Sequence, residues 1–92
     1  MCDTNQMQIG SDTWVVIPAY NEASVIGGVV AGVRTFFPRV LVVDDASGDD
    51  TAAVARAAGA YTARHPLNLG QGAALHTGFD AALARGAPYV GT

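Results

Sequence analysis

Two uninterrupted apolar runs, Trp14-Val15-Val16-Ile17 and Val40-Leu41-Val42-Val43, constrain the fold of this chain more than any other feature. Neither alternates with polar residues, so each reads as a strand covered on both faces, as in parallel sheets packed between helices. The first run ends in Pro18-Ala19-Tyr20-Asn21-Glu22 and the second in Asp44-Asp45. In open parallel sheets, ligands bind in the crevice beyond the carboxyl ends of the strands. A tyrosine, a glutamate and two aspartates delivered to that crevice point to a polar small molecule.

Helical spacing fills the gaps between the runs. Strands are expected over 13–18, 40–44 and 61–64, with another beginning at Pro88-Tyr89-Val90-Gly91-Thr92. A helix over 22–34 places Ile26, Val29, Val30, Val33 and Phe37 on one stripe. A second, from 49, places Val54, Ala57, Ala58 and Tyr61 on one face, and a third, over 70–85, brings Leu75, Gly78, Phe79 and Ala82 into register. Asn21 is expected to cap the first helix, and Ser47 with Asp50 to cap the second in the manner of a capping box. Gly59 and Gly86 are expected to end the second and third helices. Gly27, Gly28 and Gly32 are expected to permit close packing. Alternating strands and helices with short connections imply right-handed crossovers and a three-layer α/β/α domain.

Composition removes several function classes. Ninety-two residues make one small domain, here a polar tail over 1–12 followed by the folded part over 13–92. Net charge is −3, and the basic residues are all arginine and scattered, without the stripe expected of a nucleic-acid binder. No segment approaches the roughly 20 apolar residues of a membrane span, and the N-terminus has no basic residue to start a secretory signal. The lone cysteine, Cys2, rules out an internal disulfide. The expected location is the cytoplasm or the cytoplasmic face of a membrane.

A carboxylate only accepts hydrogen bonds, so Asp45 suits the ring N–H groups of a base or the hydroxyls of a ribose, with Asp44 beside it. A diphosphate would be repelled unless a divalent cation neutralised the charge. Tyr20 offers an aromatic face and Glu22 further acceptors, although the same residues would also make an ordinary strand-to-helix turn. Asp49 and Asp50 fit equally well as partners of a helix dipole. In Asn68-Leu69-Gly70-Gln71-Gly72, Gly70 either brings backbone N–H groups to an anion or allows close helix packing. The segment is neither a P-loop nor a dinucleotide fingerprint, because Leu75 stands where a small residue is required. His65 and His76 lack ligand-spaced partners and read as surface or edge residues.

Taken together, three segments resemble family-2 glycosyltransferases, whose nucleotide-binding half has the GT-A fold. Val15 to Glu22 resembles the family's opening strand and turn. Val42-Val43-Asp44-Asp45-Ala46-Ser47-Gly48-Asp49-Asp50-Thr51 is similar to its D-D-x-S-x-D-x-T pattern, with Ala46 where Gly is commoner. Asn68-Leu69-Gly70-Gln71-Gly72-Ala73-Ala74 is similar to its N-x-G-x-G-x-A segment, with Gln71 in place of a frequent Lys. The resemblance runs closest to dolichyl- and polyprenyl-phosphate sugar transferases. It implies that Pro18, Ala19, Tyr20, Glu22, Asp44, Asp45 and Gly70 belong to the binding site of a UDP- or GDP-sugar, with polyprenyl phosphate as acceptor. It further implies Mg²⁺ or Mn²⁺ in the full-length enzyme, held by an Asp-x-Asp expected beyond Thr92. No metal is then expected on this stretch alone, which reads as the N-terminal part of a GT-A domain and is expected to be inactive.

Two other readings stand beside this one. The Asp pair also looks like that of receiver signalling domains, but those place it after the first strand and use a lysine, which this chain lacks. The other is a non-catalytic nucleotide-binding module that self-associates through an unfinished sheet edge.

Overall fold

In the computed structural model, residues 12–92 are described. The expected tail, Cys2 included, therefore lies outside the described residues except for Asp12. The elements run β1 (Thr13–Ala19), α1 (Ala23–Arg34), β2 (Arg39–Asp44), α2 (Thr51–Ala57), β3 (Tyr61–Arg64), α3 (Gln71–Ala84) and β4 (Tyr89–Gly91). All strand pairs are parallel, in the order β3-β2-β1-β4. The chain thus reverses direction across the sheet between β3 and β4, and ligand crevices form at such reversals.

Strand alternation divides the core in two. Trp14 and Val16 of β1 and Leu41 and Val43 of β2 pack against Ala74 and Ala82 of α3. Val40 and Val42 pack with Ala19 on the opposite face, against Ile26 and Val30 of α1 and Ala55 of α2. The β2 run is therefore covered on both sides, whereas on β1 Trp14 and Val16 are buried against α3 and Val15 and Ile17, on the opposite face, are only half-buried.

Helix α3 sits very close to the sheet. A Cβ built on Gly78 would lie 2.1 Å from Val16 Cγ1 and 3.1 Å from Val43 Cγ2. The fully buried line on α3 is Ala74, Gly78 and Ala82, while Leu75 and Phe79 flank it half-buried rather than leading it as their spacing implied. Gly27 meets Val54 across the α1–α2 contact, with its added Cβ 3.2 Å from Val54 Cγ1. Gly28 and Gly32 face open space, so close packing does not explain them.

Several local expectations are corrected. Asn21 does not cap α1: it has φ +52, and Glu22 occupies the cap position. Ser47 and Asp50 form no capping box, because α2 begins at Thr51 with Asp50 as its cap residue and without a side-chain cap bond. The Ser47 hydroxyl instead accepts from the Asn21 N–H at 2.8 Å. Tyr61 starts β3 rather than extending α2, and Ala57 is exposed. On α1 the buried residues are Ile26 and Val30, while Val29 is exposed. Gly59 follows the end of α2 with φ +106, a left-handed position that glycine adopts at little cost.

Candidate functional site

Register places the key residues in one row. Ala19 of β1 pairs with Asp44 of β2, and Asp44 with Arg64 of β3. The next residue of each strand, Tyr20, Asp45 and His65, therefore forms the carboxyl rim of the sheet. Two bonds carry the ladder one step further: Asp45 N–H donates to the Ala19 carbonyl and His65 N–H to the Asp44 carbonyl, each at 2.9 Å.

Alternation then separates the two aspartates. Asp45 follows Leu41 and Val43 onto the α3 face, whereas Asp44 follows Val40 and Val42 onto the other. A cleft of about 200 Å³ opens on the α3 side, lined by Pro18, Ala19, Tyr20, Glu22, Asp45, Gln71 and Ala74. Five of the seven residues expected at the site are thus brought together. Asp44 and Gly70 do not line the cleft. Asp44 is fully buried: its Oδ1 accepts from Ser47 N–H at 3.0 Å and its Oδ2 lies 3.8 Å from Arg64 Nε. Gly70, with φ +97, opens α3 and donates its N–H to Asp45 Oδ2 at 2.8 Å. The anion at this glycine turn is the protein's own carboxylate.

Asp45 is the most heavily bonded side chain at the rim. Its Oδ1 accepts from Leu69 N–H at 2.9 Å and lies 2.8 Å from His65 Nδ1. The Leu69 N–H first, and then the His65 contact, hold its carboxyl below the ordinary value of 3.8, against the opposing effect of burial. The ionised carboxylate cannot donate, so His65 Nδ1 carries the proton between them. On the far side of the ring, Nε2 lies 2.8 Å from Thr77 Oγ1 of α3. His65 is only 7 % exposed, a correction to its expected surface position. Its one signal in the sequence is that it stands one residue past β3, as Asp45 stands one past β2. Gln71, Ala74 and Thr77 were likewise not singled out as site residues. His76 is exposed, 3.6 Å from Asp80 one turn along α3.

A second set of bonds shapes the other wall. Gly48 N–H donates to Asn21 Oδ1 at 2.8 Å, Glu22 N–H to Thr51 Oγ1 at 2.9 Å and Ala23 N–H to Asp49 Oδ2 at 3.2 Å. The Thr51 hydroxyl donates to Asp49 Oδ1, and this bond is the main cause of the lowered Asp49 pKa. The β1–α1 and β2–α2 turns are thereby stitched together. Tyr20 stands on this wall, 49 % exposed. Among the described residues, no group of three or more His, Cys, Asp or Glu side chains could hold a metal ion. No helix of the described residues is long and apolar enough to cross a membrane.

Comparison with known proteins agrees with this architecture. The family model described as glycosyl transferase family 2 matches residues 14–92. An uncharacterized glycosyltransferase of Mycobacterium bovis is 41 % identical over 73 residues, covering 79 % of this chain and 33 % of that protein. The crystal structure of Mycobacterium tuberculosis glucosyl-3-phosphoglycerate synthase superposes with a TM-score of 0.70 at 28 % identity, over 86 % of this chain and 33 % of that one. The same enzyme has been solved with Mn²⁺, UDP and glucosyl-3-phosphoglycerate. A mannosyltransferase of Pyrobaculum calidifontis, solved with GDP-Man and Mn²⁺, gives a TM-score of 0.69 at 25 % identity, over 77 % of this chain and 24 % of that one. The chain spans about a third of the length of the curated relatives it matches.

Proposed function

The chain belongs to glycosyl transferase family 2 and has the Rossmann-like GT-A fold, and on that premise we propose that its cleft binds the nucleoside of a nucleotide-diphosphate sugar. The observation that carries this reading is the meeting of Tyr20, Glu22 and Asp45 on one cleft at the carboxyl rim. The Tyr20 ring stacks on the base, Asp45 accepts from the base edge, and Glu22 accepts from ribose hydroxyls. Pro18, Ala19 and Ala74 give the cleft its apolar lining, and Gln71 adds a neutral polar group. Asp44 and Gly70 act one step back, through the β2–α2 turn and through Asp45 respectively.

Neither arginine nor lysine lines the cleft, so the diphosphate needs its charge met from elsewhere. For the longer protein we propose Mg²⁺ or Mn²⁺, which as a Lewis acid stabilises the departing nucleoside diphosphate. The Mn²⁺ found with the mycobacterial synthase and the archaeal mannosyltransferase supports this. The ligands would come from an Asp-x-Asp beyond the 92 residues. Residues 13–92 then supply one side of the donor site, and we propose that they do not transfer sugar by themselves. For the acceptor we retain the polyprenyl phosphate implied by the sequence resemblance. The glucosyl-3-phosphoglycerate bound to the mycobacterial synthase favours a phosphoglycerate-type acceptor as the second reading.

Calorimetric titration of the chain with UDP and GDP tests the donor site. At least one should bind, and Tyr20→Ala should weaken that binding about tenfold through lost stacking. No binding of either nucleotide, or an affinity indifferent to Tyr20→Ala, would refute the proposal.

A further inference from the structure

The number of acceptor positions that Asp45 has left to offer limits what it can recognise. A carboxylate has about four lone-pair positions, two on each oxygen. Leu69 N–H and His65 Nδ1–H occupy both positions on Oδ1, and Gly70 N–H occupies one on Oδ2. One acceptor position remains, on Oδ2. The arrangement is held from three sides. His65 N–H is tied to the Asp44 carbonyl at 2.9 Å, its Nε2 lies 2.8 Å from Thr77 on α3, and Asp45 itself is only 4 % exposed.

Uracil and guanine make different demands on such a group. The pairing edge of uracil carries a single N–H between two carbonyls. That of guanine carries two adjacent donors, the ring N1–H and the exocyclic amino group, and both match an open carboxylate. A carboxylate with one oxygen already saturated satisfies the first pattern. It leaves a guanine donor desolvated and unpaired, a cost that removes affinity by about tenfold or more.

We infer that His65 determines base specificity: by filling Asp45 Oδ1 together with Leu69 N–H, it leaves one acceptor in the cleft and so selects uridine over guanosine donors. This rests on the donor-site reading above. Asp45 touches the base, and His65 acts through Asp45.

The test compares affinities for UDP and GDP, measured by calorimetry on the 92-residue chain and its variants. Wild type should bind UDP at least about tenfold more tightly than GDP. His65→Ala, which reopens Oδ1, should narrow that ratio to within about threefold. Thr77→Val, which frees the ring but retains it, should shift the ratio in the same direction by less. His65→Asn, whose amide N–H can stand where Nδ1–H stands, should restore the wild-type ratio. A partly unfolded population weakens both nucleotides alike and leaves the ratio unchanged, so a structural role alone does not reproduce the pattern. GDP binding as tightly as UDP to wild type would overturn the inference and leave the donor site standing. A ratio unmoved by both His65→Ala and Thr77→Val would overturn the role of His65. Binding of neither nucleotide would overturn the donor-site reading and this inference with it.

Discussion

The two walls of the cleft are built from similar parts and used differently. On one wall, Asn21, Ser47, Asp49 and Thr51 accept from backbone N–H groups of the facing turn, so that the β1–α1 and β2–α2 connections lock each other. On the other, Asp45 gathers Leu69, Gly70 and His65 around one carboxylate at the base of the β3–α3 connection. The first web is distributed over four side chains, Ser47 and Thr51 buried and Asn21 and Asp49 exposed. The second is concentrated on one nearly buried group that also faces the cleft. A distributed web tolerates the loss of one member, whereas a single-centre web loses shape and ligand contact together.

The largest effect should therefore come from the centre. Asp45→Ala should remove nucleotide binding to the limit of calorimetric detection and lower the melting temperature more than any single change in the first web. A near-normal affinity would show that the two walls are equivalent. The same centre should appear in acid. The folded pKa of Asp45 is depressed below 3.8, so the unfolded chain takes up the proton first. The associated stability is fully present above that value and is lost as pH falls below it. Asp49, also depressed, contributes in the same sense. Urea denaturation followed from pH 6 to pH 2.5 should show a shallower acid decline in Asp45→Asn than in wild type, and identical slopes would contradict this.

In the distributed web, Asn21→Ala should cost about 2 kcal/mol. It loses the bond from Gly48 and places alanine at φ +52, where asparagine is better tolerated. Chemical denaturation should show this with UDP affinity changed less than threefold, and a larger loss of binding would blur the distinction between the walls. The smallest effect should be a gain. Ala46 has φ +64, a left-handed conformation that glycine adopts more easily. Ala46→Gly should stabilise by about 0.5–1 kcal/mol net of the added chain entropy, and a destabilisation would refute that balance.

Much of this organisation could be read from the chain because the apolar runs of the two central strands, 14–17 and 40–43, are unbroken by polar residues. That same uniformity hid which aspartate faces the cleft. With apolar residues on both faces, Val40 to Val43 give no parity, and only the seat of α3 assigns Asp45 to one side and Asp44 to the other. Asn21 and Ser47 do not cap the helices as expected, because their bonds to backbone groups run between turns more than twenty residues apart. Capping rules consider only near neighbours. His65 was unreadable for the same reason, since its partners come from β2 and α3. The φ of +64 at Ala46 accounts for glycine being the commoner residue at that point of the motif, and leaves the alanine itself without a structural reason.

The bare backbone at Gly78 works as a spacer of zero thickness between α3 and the sheet. That helix carries Gln71, Ala74 and Thr77, so the depth of the cleft and the reach of Thr77 to His65 are gauged from one contact point near the helix centre. Any side chain at position 78 would act as a shim, tilting the helix about that point and detuning a binding site whose own residues were untouched.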